Sequence, residues 1–281
     1  MERVTYSTLT PCQKLRALKT FVMPAFHHLL RVGCLRDLDV SRTDMNLRFM
    51  LRHICGLPQS TARAFFAAHS SRGGLGFIPL TDLKAAFTIS CACLCLNSEN
   101  EAIARMPERS ILLATSKPTL EAAVEYVSDS ECHRAHRMKC ATRCRWSNLN
   151  LALKHFSSFF NVTLRVVRSS VECWAGLSSA QMLPLPEGAI FYKLCDLLHQ
   201  AASVELSSLL HGSSFNLISL ERNSSYFIYW RWGMSNELWR FALKARLNLC
   251  PVVGRRYQGQ RASIFERCSE AGTLISHHIQ L

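Results

Sequence analysis

Leu9-Thr-Pro-Cys-Gln-Lys-Leu15, then Asp44-Met-Asn-Leu-Arg48 leading to Leu57-Pro58, then Gly73-Gly-Leu-Gly-Phe77 mark the helices and turns of the N-terminal third of the chain. The first opens a helix over residues 11–31, because Leu15, Leu18, Val22 and Phe26 recur near the helical period. Pro24 is expected to kink that helix and Gly33 to end it. The second lies on a helix predicted from about Thr43 to Cys55, with Leu47, Met50, Leu51 and Ile54 on one face. Thr43 is its expected N-cap, and Gly56 with Pro58 its stop. A short helix over residues 61–69 leads into the glycine turn, and Thr81 or Asp82 is expected to cap a helix reaching Leu96.

Further along, residues 97–118 read as a looser connection punctuated by Pro107 and Pro118. The pattern is again mostly helical from Leu120 to Val167, breaks at Pro184 and Pro186, and resumes as one long helix from Gly188 to Leu210. The polar run from His211 to Ser214 begins a loop. Tyr226 to Trp232 is dense in aromatics and fits strand or helix. Glu237 to Leu249 reads as an amphipathic helix on Leu238, Phe241, Ala242 and Ala245. There is no internal repeat, and the class is mainly α.

The chain has 281 residues, enough for a sizeable core, and its 33 Lys+Arg against 20 Asp+Glu give a net charge of +13. That balance favours a polyanionic partner. No apolar run approaches the ~18 residues of a membrane span, and the N-terminus does not read as a signal peptide. Several of the 13 cysteines sit in apolar helical runs such as Ser90–Leu96, which fits a reduced, intracellular protein rather than a secreted disulfide framework.

Catalytic signatures are missing from the sequence. It has no Asp-Asp dipeptide of the kind that holds two metal ions in a polymerase, and no G-x-S-x-G, P-loop or H-E-x-x-H. Cys132, His136, Cys140 and Cys144 fall at helical spacing, but a tetrahedral metal site normally draws ligands from two elements, so they read as thiols on a basic helix. Two acid-free stretches suit phosphate contacts: Arg134, Arg137, Lys139, Arg143 and Arg145 in one, and Lys244, Arg246, Arg255, Arg256 and Arg261 in the other. The plain alternative is a solvated helix face. The aromatics of residues 226–239 could stack bases, although such side chains more often fill a core.

In order and spacing, the three N-terminal segments resemble the stretch after the polymerase palm in non-LTR retrotransposon reverse transcriptases of the site-specific, restriction-like-endonuclease type. Leu9, Pro11, Gln13, Lys14 and Leu15 match an L-x-P-x-Q-K-L pattern; Asp44, Arg48, Leu57 and Pro58 match a D-x-x-x-R helix ending in L-P; Gly73 to Gly76 match G-G-L-G. Arg246, Asn248 and Pro251 are similar to the stretch that precedes the family's CCHC zinc knuckle. The knuckle is broken, since Phe265 stands where the cysteine paired with Cys268 belongs and His277 is out of register, so no zinc is expected.

The resemblance implies a helical thumb-like bundle followed by a helical linker domain. The expected divisions are a thumb-like domain over 1–97, a linker region with a basic segment over 98–236, and a basic helix with a truncated knuckle over 237–281. It implies a non-catalytic part of an RNA-directed DNA polymerase polyprotein that binds RNA, DNA or an RNA–DNA duplex, needs no cofactor, and is nuclear if functional. Palm and endonuclease would lie outside this sequence, with a separate chain as a source of the palm. Lys14, Arg16, Lys19, Arg48 and Arg52 are the implied thumb contacts. The alternative is a decayed or domesticated fragment acting as a protein-interaction scaffold.

Overall fold

Thr10 and Gln13 exchange hydrogen bonds, the threonine N–H to Oε1 at 2.9 Å and the Gln13 N–H to Oγ1 at 3.4 Å, and this capping box starts the first long helical segment. The computed structural model describes residues 1–32, 35–129, 145–209, 234–247 and 249. A single turn, α1 (Glu2–Thr5), precedes α2 (Pro11–Ala17), which passes through a π-helical turn (Leu18–Val22) into α3 (Met23–Val32). The widened turn ends two residues before Pro24, whose ring would crowd the Thr20 carbonyl in a regular helix, so the break expected from Pro24 is a π turn.

Then follow α4 (Asp37–Cys55), α5 (Arg63–Ala67), α6 (Leu80–Leu96), α7 (Glu101–Thr115), α8 (Leu120–Ser128) and α9 (Arg145–Phe156). Three strands, β1 (Asn161–Val167), β2 (Ser170–Gly176) and β3 (Leu183–Pro184), lead to α10 (Ile190–Ser208) and, beyond it, α11 (Asn236–Arg246).

Helix α6 is the axis of the molecule. Its apolar residues are not confined to one face, and its small residues Ala85, Ala86, Ser90, Ala92 and Cys93 are buried, so α3, α4, α7, α9, α10 and β2 all pack against it. The core is continuous from Cys12 to Leu247. Mainly α is therefore the observed class.

Several expectations are corrected. Helix α4 starts at Asp37; Thr43 lies inside it and turns its hydroxyl back onto the Asp39 carbonyl at 2.7 Å instead of capping. Neither Thr81 nor Asp82 caps α6, which begins at Leu80 after Pro79. The connection over 97–118 is largely a helix, α7, with Pro107 inside it; Asn100 caps its start by accepting from Ala102 at 3.0 Å.

The helical reading up to Val167 fails at β1, which forms an antiparallel hairpin with β2. Val167 faces Ser170, and the two turn residues Arg168 and Ser169 have φ of 49° and 67°, a type I′ turn. The sheet's inner face buries Leu164, Val171, Cys173 and Ala175. Two polar side chains splice it to the helices: Asn97 exchanges both bonds with the Val171 backbone at 2.8 and 2.9 Å, and Ser128 does the same for Leu164 at 3.2 and 3.4 Å.

In α11 the buried face is Trp239, Leu243 and Arg246, while Leu238 and Phe241 are exposed, so the helix is rotated from the expected face. The Gly33 stop, the aromatic run Tyr226–Trp232 and the Cys132–Cys144 cluster lie outside the described residues.

Candidate nucleic-acid interface

The three N-terminal segments meet in one substructure. In the first, Leu15 is wholly buried and Lys14 donates Nζ to the Thr5 carbonyl at 2.6 Å, tying α2 to α1. In the second, the buried Asp44 accepts the Leu80 N–H on Oδ1 at 2.9 Å, while Arg48 Nε lies 3.3 Å from Oδ2. A carboxylate on α4 thus caps the start of α6, which has no capping side chain of its own. Burial pushes the Asp44 carboxyl above its ordinary range, against the opposing pull of the Leu80 N–H, Arg48 and Arg63.

Leu57-Pro58 closes α4. Gly56, at φ 64°, donates to His53 at 3.2 Å and Leu57 to Arg52 at 2.9 Å, a Schellman motif whose following leucine is buried. The side chain of Arg240 from α11 packs over Gly56, placing a cation at the negative end of α4.

The glycine turn runs back along residues 65–69. Leu75 donates to Phe65 at 3.0 Å, Phe77 to Phe66 at 2.7 Å and Gly76 to Ala68 at 2.9 Å. A Cβ at Gly74 would stand 2.1 Å from the Ala68 carbonyl oxygen, so only glycine fits. At Gly76, with φ 66°, a Cβ would stand 2.9 Å from Lys19 Nζ. The first segment's helix and the third segment's turn are thus in contact through that lysine.

The basic residues singled out from the sequence divide into groups. Arg16 and Lys19 are exposed, one helical turn apart. The Lys19 ammonium, resting by Gly76, is pulled below its ordinary pKa by partial desolvation. Arg48 and Arg52 are half-buried; Arg52 donates to the Thr61 carbonyl at 3.3 Å and stands 5.3 Å from the Phe66 ring centroid. Burial, then the nearby Arg48, lowers the Arg52 pKa.

Arg145 is exposed at the start of α9, with Nη1 3.4 Å from Cys95 Sγ. Lys244 is half-buried, and Arg246 is buried, its pKa lowered by desolvation to about 10. Arg246 therefore sits in the core, not on a solvent-facing basic surface. Arg134, Arg137, Lys139, Arg143, Arg255, Arg256, Arg261, Cys268 and His277 lie outside the described residues.

Sequence reasoning passed over three side chains that the fold brings beside Lys19: His69, Arg72 and His199. His69 and Arg72 border the glycine turn, while His199 comes from α10, some 130 residues away in sequence. Nothing local in the sequence joins them. Among the described residues no group of three or more His, Cys, Asp or Glu side chains could hold a metal ion. The seven described cysteines carry free thiols, and burial pushes Cys173 and Cys195 up to about 12. No single described helix is long and apolar enough to cross a membrane.

Two known proteins share sequence with this chain. One is the Retrovirus-related Pol polyprotein from type-1 retrotransposable element R2 of Nasonia vitripennis, 31% identical over 105 residues, covering 37% of this chain and 10% of the relative. The other is the Retrovirus-related Pol polyprotein from type-2 retrotransposable element R2DM of Drosophila melanogaster, 34% identical over 76 residues, covering 27% of this chain and 7% of the relative. Part of the chain is related to R2 retrotransposon Pol polyproteins. The matched stretches span a tenth or less of those relatives' length. No protein-family model matches the chain.

Proposed function

We propose that this chain is a non-catalytic nucleic-acid-binding part of a retrotransposon-related polymerase polyprotein, taking an RNA–DNA duplex or duplex DNA as in target-primed reverse transcription. The observation that carries the reading is the coincidence of the R2 Pol match with a charge of +13 and the exposed cations Arg16, Lys19 and Arg72, the last two both beside His69. The thumb, linker and knuckle-remnant divisions belong to the same proposal.

The chemistry asked of these cations is modest. Lysine and arginine neutralise backbone phosphates and release counterions, giving affinity without sequence readout. Arg48, Arg52 and Lys14 then act indirectly, holding α1, α2, α4 and α5 in place so that the exposed cations present a fixed surface. The purified chain is expected to bind labelled RNA–DNA and DNA duplexes at about 50 mM salt, with affinity falling by orders of magnitude towards about 200 mM. Negligible binding at low salt by a folded sample overturns the proposal.

A scaffold role is the second reading, and one feature favours it. Tyr6, Met45 and Phe49 are 75%, 58% and 58% exposed, and Tyr6 and Phe49 line a groove of about 550 Å³ between α1 and α4. If duplexes do not bind, concentration-dependent self-association that is reduced by Phe49→Ser would favour this reading.

A further inference from the structure

We propose that Lys19, His69, Arg72 and His199 form a phosphate subsite whose occupancy is coupled to protonation of the two histidines. The inference deepens the nucleic-acid reading and rests on it for the source of the phosphate, a backbone phosphodiester.

The two imidazoles are anchored through the same ring position in opposite senses. His69 Nδ1 accepts the Ser71 N–H at 3.1 Å and lies 2.6 Å from Ser71 Oγ, which leaves the neutral ring's proton on Nε2. His199 donates Nδ1–H to the Ala67 carbonyl at 2.6 Å, which leaves a lone pair on its Nε2. The rings meet edge to face with centroids 5.3 Å apart. Both Nε2 atoms lie outside any hydrogen bond among the described residues; that of His69 is already a donor in the neutral ring, that of His199 becomes one once its ring is charged, and a charged His69 turns its new Nδ1–H to Ser71 Oγ.

The surroundings are cationic. Lys19 reaches in from the π turn to Gly76, and Arg72 sits three residues after His69. Asp196, exposed on α10, is the acidic side chain facing the pair. Burial, together with Lys19 and the neighbouring cations, keeps both histidines below their ordinary pKa, with Asp196 and the Ala67 carbonyl opposing. Four groups that repel one another when charged are thus gathered at one edge, with Asp196 as a counter-charge to the histidines.

A tetrahedral oxyanion reverses that repulsion. It accepts from the lysine, the arginine and the two Nε2–H groups, and its charge favours imidazolium in both rings. Binding therefore takes up protons, and affinity rises as pH falls through the histidine range.

The experiment uses the full chain and two substitutions that retain the structural bonds: His69→Asn keeps an acceptor for the Ser71 N–H, and His199→Asn keeps a donor to Ala67. Histidine pKa values are measured by NMR with and without inorganic phosphate in a chloride buffer. Binding of a labelled DNA duplex is measured in parallel from about pH 7.5 to about 5.5.

The expected result is that phosphate raises the pKa of both histidines. Duplex affinity should increase about tenfold over that range in the wild type, and at most about threefold in the double variant. Lys19→Gln should weaken binding at every pH. Histidine pKa values indifferent to phosphate, with a wild-type pH slope in the double variant, overturn the subsite even if duplexes bind. A phosphate-induced rise with no duplex binding at any pH keeps the subsite and overturns the nucleic-acid reading.

Discussion

Asp44 shows how a residue noticed as part of a sequence pattern can have a structural task. Its carboxylate caps α6 from α4 and holds Arg48, so Asp44→Ala leaves the Leu80 N–H unpaired in the core and should cost about 3 kcal/mol of unfolding free energy. Asp44→Asn retains an acceptor and should cost about 1 kcal/mol. Because the folded state holds the Asp44 proton more tightly than the unfolded chain, its contribution to stability is fullest below the ordinary carboxylate range and declines as pH rises through the raised value. Urea unfolding should accordingly show the wild type gaining on Asp44→Asn as pH falls from about 7 to about 4. The glycines separate in the same way. Gly74→Ala drives a methyl into the Ala68 backbone and should cost about 3 kcal/mol or more, whereas Gly76→Ala meets the flexible end of Lys19 and a positive φ and should cost about 1–2 kcal/mol. Equal penalties in thermal or denaturant unfolding would refute this distinction.

At the scale of elements, the sequence was clearest where periodicity and a chemical stop coincide, as in α4 ending at Gly56. It misled where one signal outweighed the packing. Pro107 argued for a loop over 97–118, yet α7 buries Ile111 and Ala114, and that burial outweighs one missing hydrogen bond. The hairpin was hidden because its I′ turn uses Arg168-Ser169, not the Asn-Gly or Asp-Gly that announces such turns. Its cue was the alternation of Val162, Leu164 and Val166 followed by Val171, Cys173 and Ala175. Two side-chain-bearing residues at positive φ also leave room for improvement. Replacing Arg168-Ser169 with Asn-Gly should stabilise the protein by about 1 kcal/mol and raise its melting temperature by several degrees, whereas no gain would mean that the turn is not strained. In α11 the expected stripe was wrong because Trp239 and Leu243 outcompete Leu238 and Phe241 for the core, carrying Arg246 in with them.

Across the whole molecule, segments that sequence order keeps apart become neighbours around α6. The candidate interface was legible only in part for that reason. Arg16 and Lys19 are visible as cations on an amphipathic helix, but their partners His69, Arg72 and His199 arrive through the glycine turn and α10. Equally, charge counting cannot separate an exposed Lys19 from a buried Arg246 or from an Arg52 engaged with Thr61 and Phe66. The relation to R2 Pol polyproteins and the exposed cations support the same proposal from independent directions. The measurement that tests it most directly is amide hydrogen exchange on the full chain, with and without a saturating RNA–DNA duplex at low salt. New protection is expected over residues 11–32 and 66–78, with the β1–β2 hairpin unchanged. No protection in those segments, whether the duplex binds elsewhere or not at all, would contradict it.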